Sequence, residues 1–132
     1  MAISVAVRRA VWLRADSRCE YCRMRQGWEP FHPYHVEHIV ARQHHGGDDL
    51  ENLALACNFC NSRKGPNLTS VDPDGRDAVA LFNPRIQAWD DHFNMNHGII
   101  MGVTITGRTT AFLLEMNAPR RVQLRSENLH DW

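Results

Sequence analysis

Apolar residues near the start of the chain recur with the period of an α-helix. Val7, Ala10 and Val11 fall at positions i, i+3 and i+4, and the apolar residues beside them widen this stripe. The pattern predicts a helix over residues 4–15. We expect that helix to pack on the core and to lead the chain to Cys19.

A second apolar segment, residues 34–42, is rich in Tyr, Val and Ile and predicts a strand. Side chains alternate between the two faces of a regular strand, so Glu37 and His38 would point in opposite directions. If both residues serve one site, the strand must bulge, bend or end there, as strands beside active sites often do. We therefore expect the backbone to depart from regular strand geometry at Glu37 and His38.

A loop, a short apolar segment and a helix are predicted to follow this strand. Residues 43–49 form the loop, in which Gly46 and Gly47 permit a sharp reversal, and residues 50–56 are short and apolar. The helix is predicted over residues 57–64, because Gly65 and Pro66 follow in the order that is usual at a helix C-terminus.

Weaker patterns follow Pro66. Residues 67–75 predict a loop, while residues 77–82 and 85–92 predict short helical turns. The β-branched residues in the range 99–106 predict a strand that pairs with residues 93–96 across a turn at Asn96, His97 and Gly98. Two helices are predicted over residues 109–116 and 120–129. The fold class that these elements indicate is α+β.

Length and charge limit the range of functions. A chain of 132 residues is expected to form one domain. Its 15 basic and 15 acidic residues balance, but residues 1–25 hold six arginines against two acids, which leaves a local charge of +4. Such a basic segment suits a polyanion, although a solvated helix face is the alternative. No apolar run is long enough for a membrane helix, and Arg8 and Arg9 interrupt any signal sequence, so we expect a cytoplasmic protein.

The four cysteines form two CxxC pairs, Cys19 with Cys22 and Cys57 with Cys60. Two such pairs can bind one tetrahedral Zn²⁺, and their use in a chain without a secretion signal favours metal over disulfides. A structural zinc contributes an apparent binding free energy of about 10–16 kcal/mol, which helps a chain with a modest core. Four sulfur ligands close the site, so the predicted zinc is structural. The alternative is four buried free thiols.

The residues around the second cysteine pair resemble the HNH nuclease family in order and spacing. The matching series is Glu37-His38, Asn52-Leu53, Cys57-x-x-Cys60-Asn61 and Lys64, and the resemblance covers residues 19–65. It implies a ββα-metal fold, a nucleic-acid substrate and a divalent catalytic ion. The chain has Glu37 where Asp is commoner and Asn61 where His is common, and both occur as variants in the family. The tail from Leu81 onward also looks like the extension of many small bacterial HNH proteins.

His38 is the predicted general base, because imidazole titrates near neutral pH. A structural or metal-ligating histidine is the alternative. Asn52 is predicted to bond backbone groups and thereby hold His38 in position; the alternative is a simple loop or helix cap.

Oxygen ligands for a second metal are expected from Glu37 and Asn61. A carboxylate and an amide carbonyl suit Mg²⁺ or Mn²⁺ better than Zn²⁺. Lys64 is predicted to bind a phosphate oxygen, and Arg63 could do so from another side of the helix. His35 is either a third ligand, a substrate contact or a partly exposed strand residue.

Together these patterns predict a metal-dependent HNH endonuclease that nicks or cleaves DNA. Residues 1–66 would form its zinc-stapled core, and residues 67–132 an extension packed on that core within one compact domain. The expected partner is double-stranded DNA, with no membrane. Near-zero net charge indicates that the chain binds DNA weakly, or that a second copy or a partner subunit supplies part of the binding surface. The alternatives are a non-catalytic zinc-dependent nucleic-acid-binding module and a metal-stabilised protein-interaction domain.

Overall fold

The structure, a computed structural model, describes residues 3–132, which contain five α-helices and six β-strands beside short 3-10 turns. Met1 and Ala2, at the start of the predicted core segment, lie outside the described residues. The first four elements are α1 (Val5–Ala15), β1 (His35–His38), β2 (Leu53–Ala56) and α2 (Asn58–Lys64). The other seven are β3 (Thr69–Val71), β4 (Ala78–Ala80), α3 (Trp89–His92), β5 (Phe93–Asn96), β6 (Ile99–Gly102), α4 (Ile105–Leu113) and α5 (Pro119–Ser126). This mixture of helices and small antiparallel sheets confirms the α+β class.

The N-terminal helix α1 forms where the apolar periodicity predicts it. Ser4 caps its start, because the side chain accepts a hydrogen bond of 3.2 Å from the Val7 amide. Val11 is fully buried, and the helix packs against β2. The guanidinium of Arg14 fixes this contact by donating to the carbonyl oxygen of Leu53 at 2.6 Å.

Strands β1 and β2 form a regular antiparallel pair. Glu37 lies opposite Ala54 and His38 opposite Leu53, so no bulge interrupts the ladder. The expected departure from regular geometry is therefore wrong for Glu37; the strand ends after His38 instead. All four residues of β2 are buried, since the strand lies between α1 and α2. The pair and the helix that follows it make the expected ββα unit.

The C-terminal segment contains two further hairpins and two helices. The β5–β6 hairpin confirms the predicted pairing, with Asn96 opposite Ile99. The β3–β4 pair replaces the predicted loop at residues 67–75 and the predicted helical turn at residues 77–82. Helix α4 begins at Ile105, earlier than predicted, because the Thr104 side chain caps it by accepting from the Gly107 amide at 3.0 Å.

One buried apolar cluster contains residues from both halves of the chain, including Val11, Leu55, Phe82 and Leu114. The edge of the Phe82 ring meets the Tyr21 ring at a centroid distance of 6.4 Å. The boundary between core and extension at residue 66 stays a prediction. Within residues 3–132, no helix has the length and apolar character that spanning a membrane requires.

Candidate active site

The four cysteine sulfurs meet in the interior. All four cysteines are buried, and their Sγ atoms lie within 4.8 Å of one another. The Cys22 and Cys57 sulfurs are 3.7 Å apart, which matches the edge of about 3.8 Å that follows from zinc–sulfur bonds of about 2.3 Å in a tetrahedron. The donor set and its dimensions therefore fit a structural zinc ion.

Two tight turns present these sulfurs. In each CxxC pair the amide of the second cysteine donates to the sulfur of the first, at 3.5 Å for Cys22 to Cys19 and 3.3 Å for Cys60 to Cys57. Cys57 is also the N-cap of α2. The first turn is joined to the hairpin, since the Glu20 amide donates to the Leu55 carbonyl at 2.8 Å. The cluster thus fixes the first turn, β2 and α2 relative to one another.

His38 lies at the end of β1 and contacts a carboxylate that its own strand does not supply. Its Nε2 atom is 2.7 Å from Oδ1 of Asp48, in the loop after the strand. Arg42 also donates to this oxygen, at 3.2 Å. The hydrogen bond with His38 is the main cause that lowers the pKa of Asp48, so that carboxyl is held ionised beside the ring. The His38 side chain remains 17% exposed.

Asn52 ties the loop to the end of the strand. Its Oδ1 accepts from the Val40 amide at 2.9 Å, and its Nδ2 donates to the carbonyl oxygens of Val40 at 3.0 Å and Gly47 at 2.8 Å. The loop approaches so closely that a Cβ on Gly46 would lie 1.7 Å from the Val40 carbonyl oxygen. Asn52 therefore contacts the backbone that follows His38, and the ring of His38 is contacted by Asp48.

Glu37 points to the other face of the hairpin, toward α2. The residue is only 5% exposed, and its Oε2 accepts a hydrogen bond of 2.7 Å from the Tyr21 hydroxyl. The Lys64 ammonium forms an ion pair with Oε1 at 2.7 Å and also donates to the Ile39 carbonyl oxygen at 3.0 Å. Burial raises the pKa of Glu37, although Lys64 and Tyr21 oppose this effect. Burial also raises the pKa of Tyr21, which keeps that hydroxyl a donor.

The other predicted site residues lie at different depths. Lys64 is 2% exposed and paired with Glu37, so its predicted phosphate contact requires that ion pair to open. Arg63 is exposed and forms an ion pair with Glu115. Asn61 is half-buried on α2, and His35 contacts the Asn58 side chain at 3.3 Å. The structure thus joins Glu37 with Lys64, and His38 with Asp48, as two separate pairs.

Two contact residues were not among the candidates from the sequence. Asp48 is one of two aspartates in the Gly-Gly-Asp-Asp loop, and Tyr21 lies between the first two cysteines. Their polarity and position near the motif are the only sequence signals. Which atoms they meet depends on how the loop folds back and how the first CxxC turn docks on the hairpin.

For a hard divalent cation the donor type fits and the access is restricted. Oε1 of Glu37 is a buried carboxylate oxygen, the type of ligand that a hard cation prefers. The cation now beside that oxygen is the Lys64 ammonium.

A zinc-fitting cysteine cluster on a ββα unit defines a ββα-metal domain. Residues 19–67 match the family model described as HNH endonuclease, so the chain carries an HNH domain in this segment. The match indicates a nuclease or another function related to nucleic acids. The chain is also similar to the Septu protein PtuB of Bacillus thuringiensis, with 25% identity over 105 residues. The similar region covers 78% of this chain and 38% of that relative, and no solved structure matches the chain.

Proposed function

We propose that this protein is a metal-dependent HNH endonuclease that hydrolyses DNA phosphodiester bonds with His38 as the general base. The observation that carries the proposal is the contact between His38, at the end of β1, and Asp48, in the loop that Asn52 bonds to the strand. A histidine held by a carboxylate is the arrangement that orients an imidazole for proton transfer.

The tautomer determines which nitrogen acts. When the Nε2–H of a neutral ring donates to Asp48, the free lone pair lies on Nδ1. Within residues 3–132, no hydrogen bond occupies that nitrogen. It would take the proton from the attacking water, and the nearby negative charge of Asp48 would stabilise the imidazolium that forms.

Glu37 and Asn61 are the proposed ligands of Mg²⁺ or Mn²⁺. Because Glu37 faces the other side of the hairpin from His38, this proposal requires the Glu37 carboxylate to leave Lys64 and move toward the side of His38. The ion would supply Lewis-acid stabilisation of the charge that develops on the phosphate. Lys64 has two positions in this proposal. It neutralises Glu37 when no divalent ion is bound, and it becomes available to a phosphate oxygen when one is.

Double-stranded DNA is the proposed substrate, and a second copy or a partner subunit is proposed to complete the binding surface. Arg42 lies in the exposed loop beside His38 and supplies one positive charge, which pairs with Asp48. The chain as a whole has no net charge, so few phosphate contacts are available from it alone. Light scattering with and without a DNA duplex measures the number of copies. The predicted cytoplasmic location also stays a proposal.

A plasmid-nicking assay tests the catalytic assignment. We expect the wild-type protein to nick supercoiled DNA with Mg²⁺ or Mn²⁺, and His38→Ala to abolish nicking while zinc content stays unchanged. His130→Ala is the matched control, because His130 is an exposed histidine outside the matched domain. Nicking by His38→Ala at the wild-type rate would refute the assignment.

A non-catalytic nucleic-acid-binding module is the second candidate. The closed ion pair between Glu37 and Lys64 favours it, because this pair leaves the proposed ligand without an open coordination position. Such a module would retard labelled DNA in a salt-dependent manner and would leave plasmid intact with every divalent ion.

A further inference from the structure

A buried arginine of the C-terminal extension reaches the cysteine cluster. Arg121, on α5, is 2% exposed, and its Nη2 atom donates to the Cys60 sulfur at 2.8 Å. The same nitrogen lies 3.8 Å from the Cys57 sulfur. An N–H group at this distance from a sulfur is a direct contact between the extension and two of the four predicted zinc ligands.

The other end of the guanidinium is fixed as well. Nη1 donates to the carbonyl oxygens of Leu114 at 2.5 Å and Glu115 at 3.0 Å, just after α4 ends. The guanidinium carbon also lies 5.5 Å from the centre of the Phe59 ring on α2. One side chain therefore links α2 and its sulfurs to the residues that follow α4.

The positive charge of Arg121 can compensate part of the negative charge of the cysteine cluster. Four thiolates around Zn²⁺ carry a formal charge of about −2, and burying unbalanced charge is unfavourable. Arg is permanently protonated and offers several donors in one plane, so it can compensate part of that charge while bonding two groups. Within residues 3–132, no other hydrogen bond from a charged side chain reaches a cysteine sulfur.

We propose that Arg121 is a positioning residue of the zinc site and that its bonds to Cys60 and Cys57 couple zinc affinity to the docking of α5. The proposal rests on the zinc component of the proposed function. The coupling acts in both directions, because whatever strengthens one equilibrium must strengthen the other by the same factor. The extension would thus be part of the metal site.

Arg125 provides a matched control within the same helix. It is fully buried, as Arg121 is, but its donors go to the carbonyl oxygens of Gly98 at 2.7 Å and Met116 at 2.5 Å. Removing Arg125 removes a buried guanidinium from α5 without removing a bond to sulfur. A general loss of stability would therefore affect both variants equally, and loss of the bonds to sulfur would affect the Arg121 variant more.

The experiment measures metal binding in the full chain, independently of nuclease activity. Zinc affinity is obtained by competition with a chromophoric chelator, and the ligand field is read from the sulfur-to-metal charge-transfer band of the Co²⁺-loaded protein. For Arg121→Met we expect zinc affinity to fall by about 10- to 100-fold, as for other partners of metal ligands, and the Co²⁺ band to shift. For Arg125→Met we expect the Co²⁺ band to stay at its wild-type position and zinc affinity to fall much less, because the Arg125 charge acts on the cysteines but no bond to sulfur is lost.

Arg121→Lys keeps the proposal testable if Arg121→Met does not fold. Lysine retains the charge but cannot bond sulfur and carbonyl oxygens in one plane. The zinc affinity of Arg121→Lys should therefore lie between those of the wild type and Arg121→Met. If Arg121→Met does not fold, the zinc affinity of Arg121→Lys should lie below that of the wild type. Wild-type zinc affinity in a folded Arg121 variant would overturn the proposal, and so would an equal loss in Arg125→Met. A wild-type chain that binds no zinc would also overturn it. A zinc-loaded chain that does not nick DNA would contradict the nuclease proposal alone.

Discussion

Replacing Lys64 by methionine tests the buried ion pair that the hairpin makes with α2. Glu37 and Lys64 are 5% and 2% exposed, and the ammonium is 2.7 Å from Oε1. Removing one partner of a buried pair leaves the other charge without compensation, which costs about 3–5 kcal/mol. The Tyr21 hydroxyl still donates to Oε2 in the variant. We therefore expect Lys64→Met to lower the free energy of unfolding by about 3 kcal/mol, near the lower limit of that range.

The loss of stability in Lys64→Met should depend on pH in a defined direction. Burial already raises the pKa of Glu37, and removing the ammonium raises it further. The folded variant therefore binds a proton that the unfolded chain, with a glutamate pKa of about 4.3, has released. Lys64→Met should be closest to wild type in acid, and it should lose stability as pH rises from about 4 through the raised pKa of Glu37.

Denaturant unfolding of the zinc-loaded protein at several pH values measures both effects. Arg63→Met is the control: Arg63 lies on α2, as Lys64 does, and its exposed ion pair with Glu115 should contribute at most about 1 kcal/mol. The double variant Glu37→Gln with Lys64→Met carries neither charge and should recover most of the loss. If Lys64→Met costs no more than Arg63→Met at neutral pH, the argument from the buried pair is refuted.

Two further predictions concern the loop that holds His38. Gly46→Ala places a Cβ 1.7 Å from the Val40 carbonyl oxygen, so the loop must move, and we expect a lower melting temperature and little nicking. Gly27→Ala is the control: its Cβ would have no atom within 4 Å, so this variant should match the wild type in both assays. Equal behaviour of the two alanine variants would contradict the close approach. Asp48→Asn keeps the shape of the partner of His38 and removes its charge, so nicking should slow by less than the roughly 10²- to 10⁴-fold loss expected without the general base. Nicking at the wild-type rate would show that the carboxylate does not assist the histidine.

The sequence was most informative where the contacts are local. Periodicity identifies α1, and Gly65 with Pro66 identifies the end of α2, because each signal lies within a few residues of the element that it specifies. The alternation rule also correctly separates Glu37 from His38. The expectation of a bulge was added to bring both into one site, and the regular ladder shows that they face different partners.

Contacts between distant segments could not be predicted in this way. Strands β3 and β4 have only three residues each, which is too few for an alternating pattern, so the sequence predicts a loop and a helical turn in their place. The β-branched residues near Ile105 favoured a strand, but the cap at Thr104 and the packing of α4 on β6 override that propensity. Arg121 meets Cys60 across 61 positions of sequence, a separation at which spacing carries no information.

Helix α2 is where the two proposed metal functions meet. Its first turn is fixed by the sulfurs of Cys57 and Cys60, and its last turn by the pairing of Lys64 with Glu37. Asn61 lies between these two attachments, so its position depends on both, although neither attachment touches its side chain. A zinc ion that takes no part in hydrolysis would therefore still set the geometry of a proposed catalytic ligand. On this reasoning the second cysteine pair and Asn61 share one sequence motif because a single short helix holds both.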